Sequence, residues 1–518
     1  MRSRRPLTQP TLLVSAALVA LARAAPAQLI AIRTVPIAQG DQFQIFPSAN
    51  LGMGSVSIAL ADTLLDPFVN PATGARVGAA RFYSSPTLYG ISQGAGGGRT
   101  LPLATLAGAG PWFAGVALAV QQVDPSSPPS NGNVFVASPL AAPTANFVVG
   151  PPVAAVAPKQ SPYGNQYAFA LLGRKLPGAG LALGASALWA RLTGMDGVDL
   201  LYGGSSGLRQ FGHTLDLRLG LLKEWTGARS LEALALYDRF GMTHDATYQD
   251  EFWDPAAQRF ALRPRAVSNH DQTNTWGLQV GYAQPLGTAG WRIGWRATAN
   301  RMAHPKLPEY QLANVPAIPR DPGRSSAYNL GIGLSKTRGP ETFGIDAIYE
   351  PIWSYTWADA ASPVVTALSD TIPAGGKTIE NRFRFSNALL RMGVSRAMAL
   401  GALGRVAELQ LGLIVRSVHY RLGQSDNVQG VSNALTEGWV EWTPTWGLSL
   451  RFPDLEIRYR GRVTKGTGRP GGQAVGVFLA GRDVALAAGG IVVAPSGPLS
   501  LQDVSTTTHQ ISISLPLR

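Results

Sequence analysis

The feature that most constrains this chain is a period of two, held over unusually long stretches. In residues 215–221 one parity is all leucine and the other is Asp216, Arg218 and Gly220. Residues 291–298 set Trp, Ile, Trp and Ala against Arg292, Gly294, Arg296 and Thr298, and residues 441–452, 455–463 and 510–515 alternate in the same way. Strict alternation places one set of side chains on each face of a β-sheet. Several of these stretches exceed the usual strand of about five to six residues, and tilted strands of about ten are what a bilayer core requires.

The links between alternating stretches are themselves alternately short and long. Tight links fall at 108–110, 177–180, 226–228, 287–290, 338–340, 401–404 and 453–454, most of them rich in glycine or proline. Long links fall between them, near 122–162, 193–209, 244–270, 302–324, 356–378, 422–436 and 466–505. Membrane barrels have this asymmetry, with short turns facing the periplasm and long loops facing outside. Seven turns join fourteen strands, and an opening strand near 76–84 with a closing one near 506–517 brings the count to about sixteen. The expected fold is therefore all-β, a transmembrane antiparallel β-barrel of about 14–16 strands. Trp112, Trp225 and Trp291 beside tight links, and Trp353, Tyr355 and Trp357 at strand exits, suit the two interfacial aromatic belts.

Residues 1–27 carry the marks of a signal peptide. Arg2, Arg4 and Arg5 precede an apolar run over 12–21, and Ala25-Pro26-Ala27 supplies a small-x-small cleavage site before Gln28. The apolar run is too short to span a membrane. The charge-free stretch 137–158 holds Pro139, Pro143, Pro151, Pro152 and Pro158, which rule out a regular helix there. It reads as an apolar outer loop. These features imply export to the outer membrane of a Gram-negative envelope. With no cysteine, the chain can have neither a disulfide framework nor a thiolate metal site.

Ahead of the barrel, Gly52-Met53-Gly54 is followed by a small-residue stretch ending in Ala61-Asp62, and then by Asn70-Pro71-Ala72. The spacing resembles the entry segment of the FadL-type outer-membrane transport proteins and the related PorV-like barrels. The resemblance implies that residues 28–75 form a plug inside a barrel built from 76–518, with Asp62, Asn70, Pro71 and Ala72 at the gate. Thr63 stands where a second acid is common in that family, and Asp66-Pro67 interrupts what is often a short helix there. Residues 511–517 alternate like the closing strand that the barrel-assembly machinery reads, although the chain ends in Arg518 rather than an aromatic residue.

Charge on the lipid face costs about 2–4 kcal/mol per residue at mid-depth, so the charged parity must face inward. It lines the lumen with Asp216, Arg218, Glu232, Asp238, Arg292, Arg296, Glu408, Arg416, Glu441, Arg451, Glu456, Arg458, Arg460 and Arg462. Mixed signs on neighbouring strands brace the wall as ion-pair ladders; an arginine-lined path for an acidic head group is the sharper alternative. The six histidines are scattered with no metal spacing, and no nucleophile elbow is present, so neither an enzyme nor a cofactor site is expected. His244, Asp245, Asp250, Glu251 and Asp254 cluster in an expected outer loop, where solvation explains them better than a cation site.

The net charge of +13 is spread without a patch. It suits outer-membrane lipid and anionic lipopolysaccharide rather than nucleic acid. Two functions follow from the resemblance. One is transport of hydrophobic or amphipathic, long-chain fatty-acid-like molecules; the other is a PorV-like secretion or surface-assembly platform without solute flux.

Overall fold

The computed structural model describes residues 42–125, 162–196, 206–304, 317–318, 323–360, 363–400, 405–467 and 504–517. Sixteen wall strands follow one another in chain order. Strand β1 runs Arg81–Ser84 and resumes after Ser85-Pro86 as Thr87–Ile91. Then come β2 (Gly97–Ala109), β3 (Trp112–Asp124), β4 (Tyr163–Leu176), β5 (Leu181–Leu192), β6 (Gly207–Trp225), β7 (Arg229–Asp254) and β8 (Arg259–Leu286). The second half holds β9 (Trp291–His304), β10 (Gly323–Arg338), β11 (Glu341–Asp359), β12 (Lys377–Leu400), β13 (Arg405–Asp426), β14 (Val431–Arg451), β15 (Glu456–Thr467) and β16 (Val504–Pro516). Each wall strand pairs antiparallel with the next.

The ladder closes on itself. β1 pairs with β2 through Ser84↔Leu103 and with β16 through Arg81↔Pro516. Closure matters because an open edge in hydrocarbon would leave a row of backbone groups without partners. Pro516 lacks an N–H, and it stands as the last residue of β16, where the ladder ends. The next residue, Leu517, donates its N–H to the Ala80 carbonyl at 2.7 Å.

Six of the seven expected tight links join consecutive strands at one end of the barrel, and the seventh, 401–404, lies outside the described residues between the paired Leu400 and Arg405. In the link from β8 to β9, Gly287 and Gly290 have φ of 69° and 76°, a left-handed conformation that a Cβ would strain. Trp112 and Trp225 mark this end, each with a cation over its ring, Arg174 at 5.2 Å and Lys223 at 5.5 Å. Between the two ends the outward face is apolar, and Leu118, Leu219 and Leu411 are among its most exposed residues. Such a surface is stable only against lipid. Among the described residues no helix is long and apolar enough to cross a membrane.

Two expected loops are strand instead. Most of 244–270 belongs to β7 and β8, which run on to a tight turn at 255–258, and most of 422–436 belongs to β13 and β14, which turn at 427–430. Beyond the bilayer both faces of a hairpin meet water. The apolar parity disappears while the backbone ladder continues, and polar sequence then imitates a loop. The expected His/Asp/Glu cluster is thereby stretched along a hairpin: Asp245 accepts Ser268 Oγ at 2.6 Å, and Asp254 caps the turn through Ala256 N at 2.9 Å. Among the described residues no three such side chains are placed to hold a metal ion. The expected signal peptide, residues 28–41 of the expected plug and the charge-free stretch 137–158 lie outside the described residues.

Candidate functional site

The inward faces of several strands carry glycine at one level, in the half of the barrel nearest the tight turns. Gly184 of β5 pairs with Gly220 of β6, Gly294 of β9 with Gly333 of β10, and Gly344, Gly393 and Gly412 run in register across β11, β12 and β13. These positions have no side chain because residues 50–74 occupy the space. A β-carbon at Gly393 would lie 2.3 Å from the Met53 carbonyl oxygen, and one at Gly412 would lie 2.2 Å from Gly54 N. At Gly294 it would meet the Ile58 carbonyl oxygen at 2.6 Å, and at Gly184 the Pro71 carbonyl carbon at 2.6 Å. The wall is shaped to let a second backbone approach it closely.

Hydrogen bonds fix that segment to the wall. Thr445 Oγ1 accepts from Gly54 N and donates to the Gly52 carbonyl, both at 2.9 Å. The Asp346 carboxylate accepts Ser57 N at 2.8 Å, and Ser335 Oγ donates to the Ala59 carbonyl at 3.0 Å. Within the segment, Asp62 gathers five donors. Ser48 Oγ, Ala49 N and Asn50 N reach it at 2.5, 2.8 and 3.2 Å, and Leu64 N and Leu65 N at 3.2 and 3.1 Å. One buried carboxylate thus ties residues 48–50 to 64–65 by charge-assisted bonds.

After this knot comes a short helix, Asp66–Val69, with Pro67 in its first turn. Pro67 therefore starts the helix that the sequence reading has it interrupt, because a missing N–H costs nothing in the first turn. Asn70 ends the helix and caps the next one, Pro71–Arg76, by accepting Ala72 N at 3.2 Å. Phe68 stacks on Phe46 with ring centroids 4.2 Å apart, and both touch Phe169 of β4. Asp66 Oδ2 accepts Asp62 N at 3.0 Å. Burial pushes its carboxyl well above the ordinary aspartate range, and the neighbouring Asp62 and Glu232 carboxylates push it further.

The sequence-predicted arginines are spread around this segment. Arg218 donates to the Val69 carbonyl at 3.0 Å and pairs with Asp216 at 2.7 Å. Arg296 donates to the Ser57 carbonyl at 3.1 Å, and Arg462 to Gln44 Oε1 at 2.8 Å. Arg460 reaches the Ala49 carbonyl at 3.5 Å, while Arg458 and Arg451 both pair with Glu456. Arg292 bonds the Ala228 carbonyl in the turn from β6 to β7. Glu441 accepts from the Trp439 indole at 3.2 Å. Much of this donor capacity goes to carbonyls of residues 44–69, not to an open path.

Toward the long-loop end the inward face changes character. Phe383 and Phe385 of β12, Tyr420 of β13 and Trp439 of β14 form an aromatic wall with Ile352, Val418 and Leu422. Phe385 and Tyr420 are 5.3 Å apart at their centroids, and Trp439 meets Tyr420 edge-on at 6.3 Å. Just below stands the ion pair of Arg416 with Glu350 at 3.1 Å. Sequence reasoning missed both the glycine level and this wall. The glycines were visible as repeated breaks in the charged parity. The aromatics alternate with Arg382 and Arg384, and the rule of apolar outward, charged inward is reversed there.

No protein-family model matches the chain, and no curated protein matches its sequence. Among solved structures it is similar to a FadL homologue of Pseudomonas aeruginosa, at 12% identity over 93% of this chain and 100% of that one, with a TM-score of 0.45. It is also similar to the Pseudomonas putida toluene transporter TodX, at 10% identity over 90% and 97% of the two chains with a TM-score of 0.37. The Ralstonia pickettii toluene transporter TbuX matches at 11% over 92% and 100%, with a TM-score of 0.35. The closed ladder, the apolar belt and the short turns gathered at one end make the chain a transmembrane β-barrel of the outer-membrane type.

Proposed function

We propose that the chain carries hydrophobic or amphipathic small molecules, of the long-chain fatty-acid kind, inward across the outer membrane without a chemical step. The observation that carries this reading is the aromatic wall of Phe383, Phe385, Tyr420 and Trp439. Porin interiors are polar, and an aromatic face turned away from lipid suits an apolar solute. The Arg416–Glu350 pair beneath it supplies polar groups for a head group. Residues 28–75 act as the plug, with Asp62 as its knot and Asn70, Pro71 and Ala72 as the gate pressed on Gly184 and Gly220.

Export by residues 1–27, folding by the barrel-assembly machinery and a setting in lipopolysaccharide complete the reading. The test is uptake of a fluorescent long-chain acid by vesicles carrying the protein, against vesicles carrying the Phe385→Ala variant and empty vesicles. Protein-dependent uptake that falls in the variant supports the reading. Uptake equal in protein-bearing and empty vesicles removes it.

A further inference from the structure

The outward face of β10 to β13 carries a dense group of cations where the strands leave the apolar belt. Cross-strand register sets Trp353 of β11 beside Arg384 of β12, and Arg384 directly opposite Arg421 of β13. One row further out, Arg324 of β10 pairs with Tyr355 of β11, which pairs with Arg382 of β12. All four arginines are exposed. The guanidinium groups of Arg324 and Arg382 lie 5.7 and 5.3 Å from the Tyr355 ring centre, and Lys377 lies 4.9 Å from it.

Glu380 is engaged already, by Arg382 at 3.2 Å, by Lys377 at 3.8 Å and by the Tyr355 hydroxyl. Asp359 stands at the outer end of β11, paired in register with Lys377. Among the described residues neither Arg384 nor Arg421 has a carboxylate partner. Like charges directly opposite on one face of a sheet destabilise it. An arginine pair held this way is relieved by an anion that bridges it.

The depth of the pair identifies the source of that anion. Below Arg384, the outward residues of β12 are Ser386, Ala388, Leu390, Met392 and Val394, and the next cation is Arg396. Twelve residues at about 3.3 Å, tilted by about 40°, span about 30 Å, the thickness of a hydrocarbon core. Arg384 and Arg421 therefore stand at the head groups of the outer leaflet, with Trp353 beside them at the interface.

We infer that Arg324, Arg382, Arg384 and Arg421 form a site for the phosphorylated sugar head of an outer-leaflet glycolipid, with one phosphate bridging Arg384 and Arg421. The planar guanidinium matches phosphate through paired donors, and the exposed Trp353 packs against the first acyl carbons. The proposal depends on the barrel's orientation and not on what it transports.

The test is native mass spectrometry of the full chain in detergent. The titrants are bisphosphorylated lipid A, lipid A stripped of phosphate, phosphatidylglycerol and inorganic phosphate. Bisphosphorylated lipid A should bind at least about tenfold tighter than the other three. Arg384→Gln combined with Arg421→Gln should lose that margin, and Arg421→Gln alone should lose part of it. Arg396→Gln, on the opposite rim of β12, should keep it. Heat-resistant migration of each variant confirms a folded barrel. Equal binding of the phosphate-free lipid, of phosphatidylglycerol or of phosphate would overturn the site, as would an equal loss from Arg396→Gln.

Discussion

Asn70 presses its amide oxygen against Gly220 so closely that a β-carbon there would sit 2.0 Å away. The partner position, Gly184, faces the Pro71 and Ala72 backbone, with 2.6 and 2.8 Å left for a β-carbon. A β-carbon at Gly220 would also lie 2.9 Å from Ala72 N, so both positions press on the backbone of the turn. Gly184→Ala and Gly220→Ala should therefore each weaken docking of the Asn-Pro-Ala turn by about 1–3 kcal/mol. In planar bilayers both variants should conduct more than the parent, with heat-resistant migration unchanged. Parental conductance in Gly184→Ala would show that these residues do not gate the lumen.

Asp62 offers a sharper lever, because its carboxylate serves Ser48, Ala49, Asn50, Leu64 and Leu65 at once. Asp62→Ala strips partners from buried backbone N–H groups, each worth about 1–3 kcal/mol. The barrel wall does not depend on these bonds. Limited proteolysis should cut the variant between residues 48 and 65 while leaving the strands intact, and the parent should resist under the same conditions. An equally resistant variant would mean that the glycine level alone holds the segment.

The wall was legible in the sequence because lipid enforces it. Leu217 and Leu219 must face outward and Asp216 inward, so parity reports the face directly, and the strand count and tight turns follow. Legibility ends where lipid ends. Past Arg239 in β7, neither face is required to be apolar, and a regular hairpin is written in polar residues. Arg382-Phe383-Arg384-Phe385 alternates as plainly as any segment, yet the head-group region draws the arginines out and leaves the phenylalanines in. Asn70, Pro71 and Ala72 stood out through a motif, whereas their seat, Gly184 and Gly220, carries meaning only once the register places both on the inner face.

Asp66 makes docking of this segment sensitive to pH. Its folded-state pKa lies above the unfolded value because the site is buried and faces Asp62 and Glu232. The stabilisation is complete below the ordinary aspartate value of about 3.9 and is lost as pH rises through the raised one. After correction for intrinsic rates, amide exchange in the helix Asp66–Val69 should slow as pH falls from about 8 to about 4. Asp66→Asn keeps the acceptor without the charge and should flatten that trend. A trend of equal slope in the variant would assign the sensitivity to another group.

The aromatic wall makes the most direct demand on the transport reading. Phe385 is buried between Phe383 and Tyr420, and a Phe side chain contributes about 1.5–3 kcal/mol of apolar contact. Phe385→Ala should weaken binding of a long-chain acid by about tenfold to a hundredfold, and a medium-chain acid by less, because a shorter tail covers less of the wall. Arg416→Gln acts on the other end of the ligand. It breaks the 3.1 Å pair with Glu350 and should weaken acids of all lengths by a similar factor, while sparing the corresponding alcohols. Isothermal titration across the two series separates the roles. If Phe385→Ala costs medium and long chains the same factor, the tail does not lie on this wall. If Arg416→Gln weakens acids and alcohols alike, the guanidinium braces the barrel and does not hold the head group.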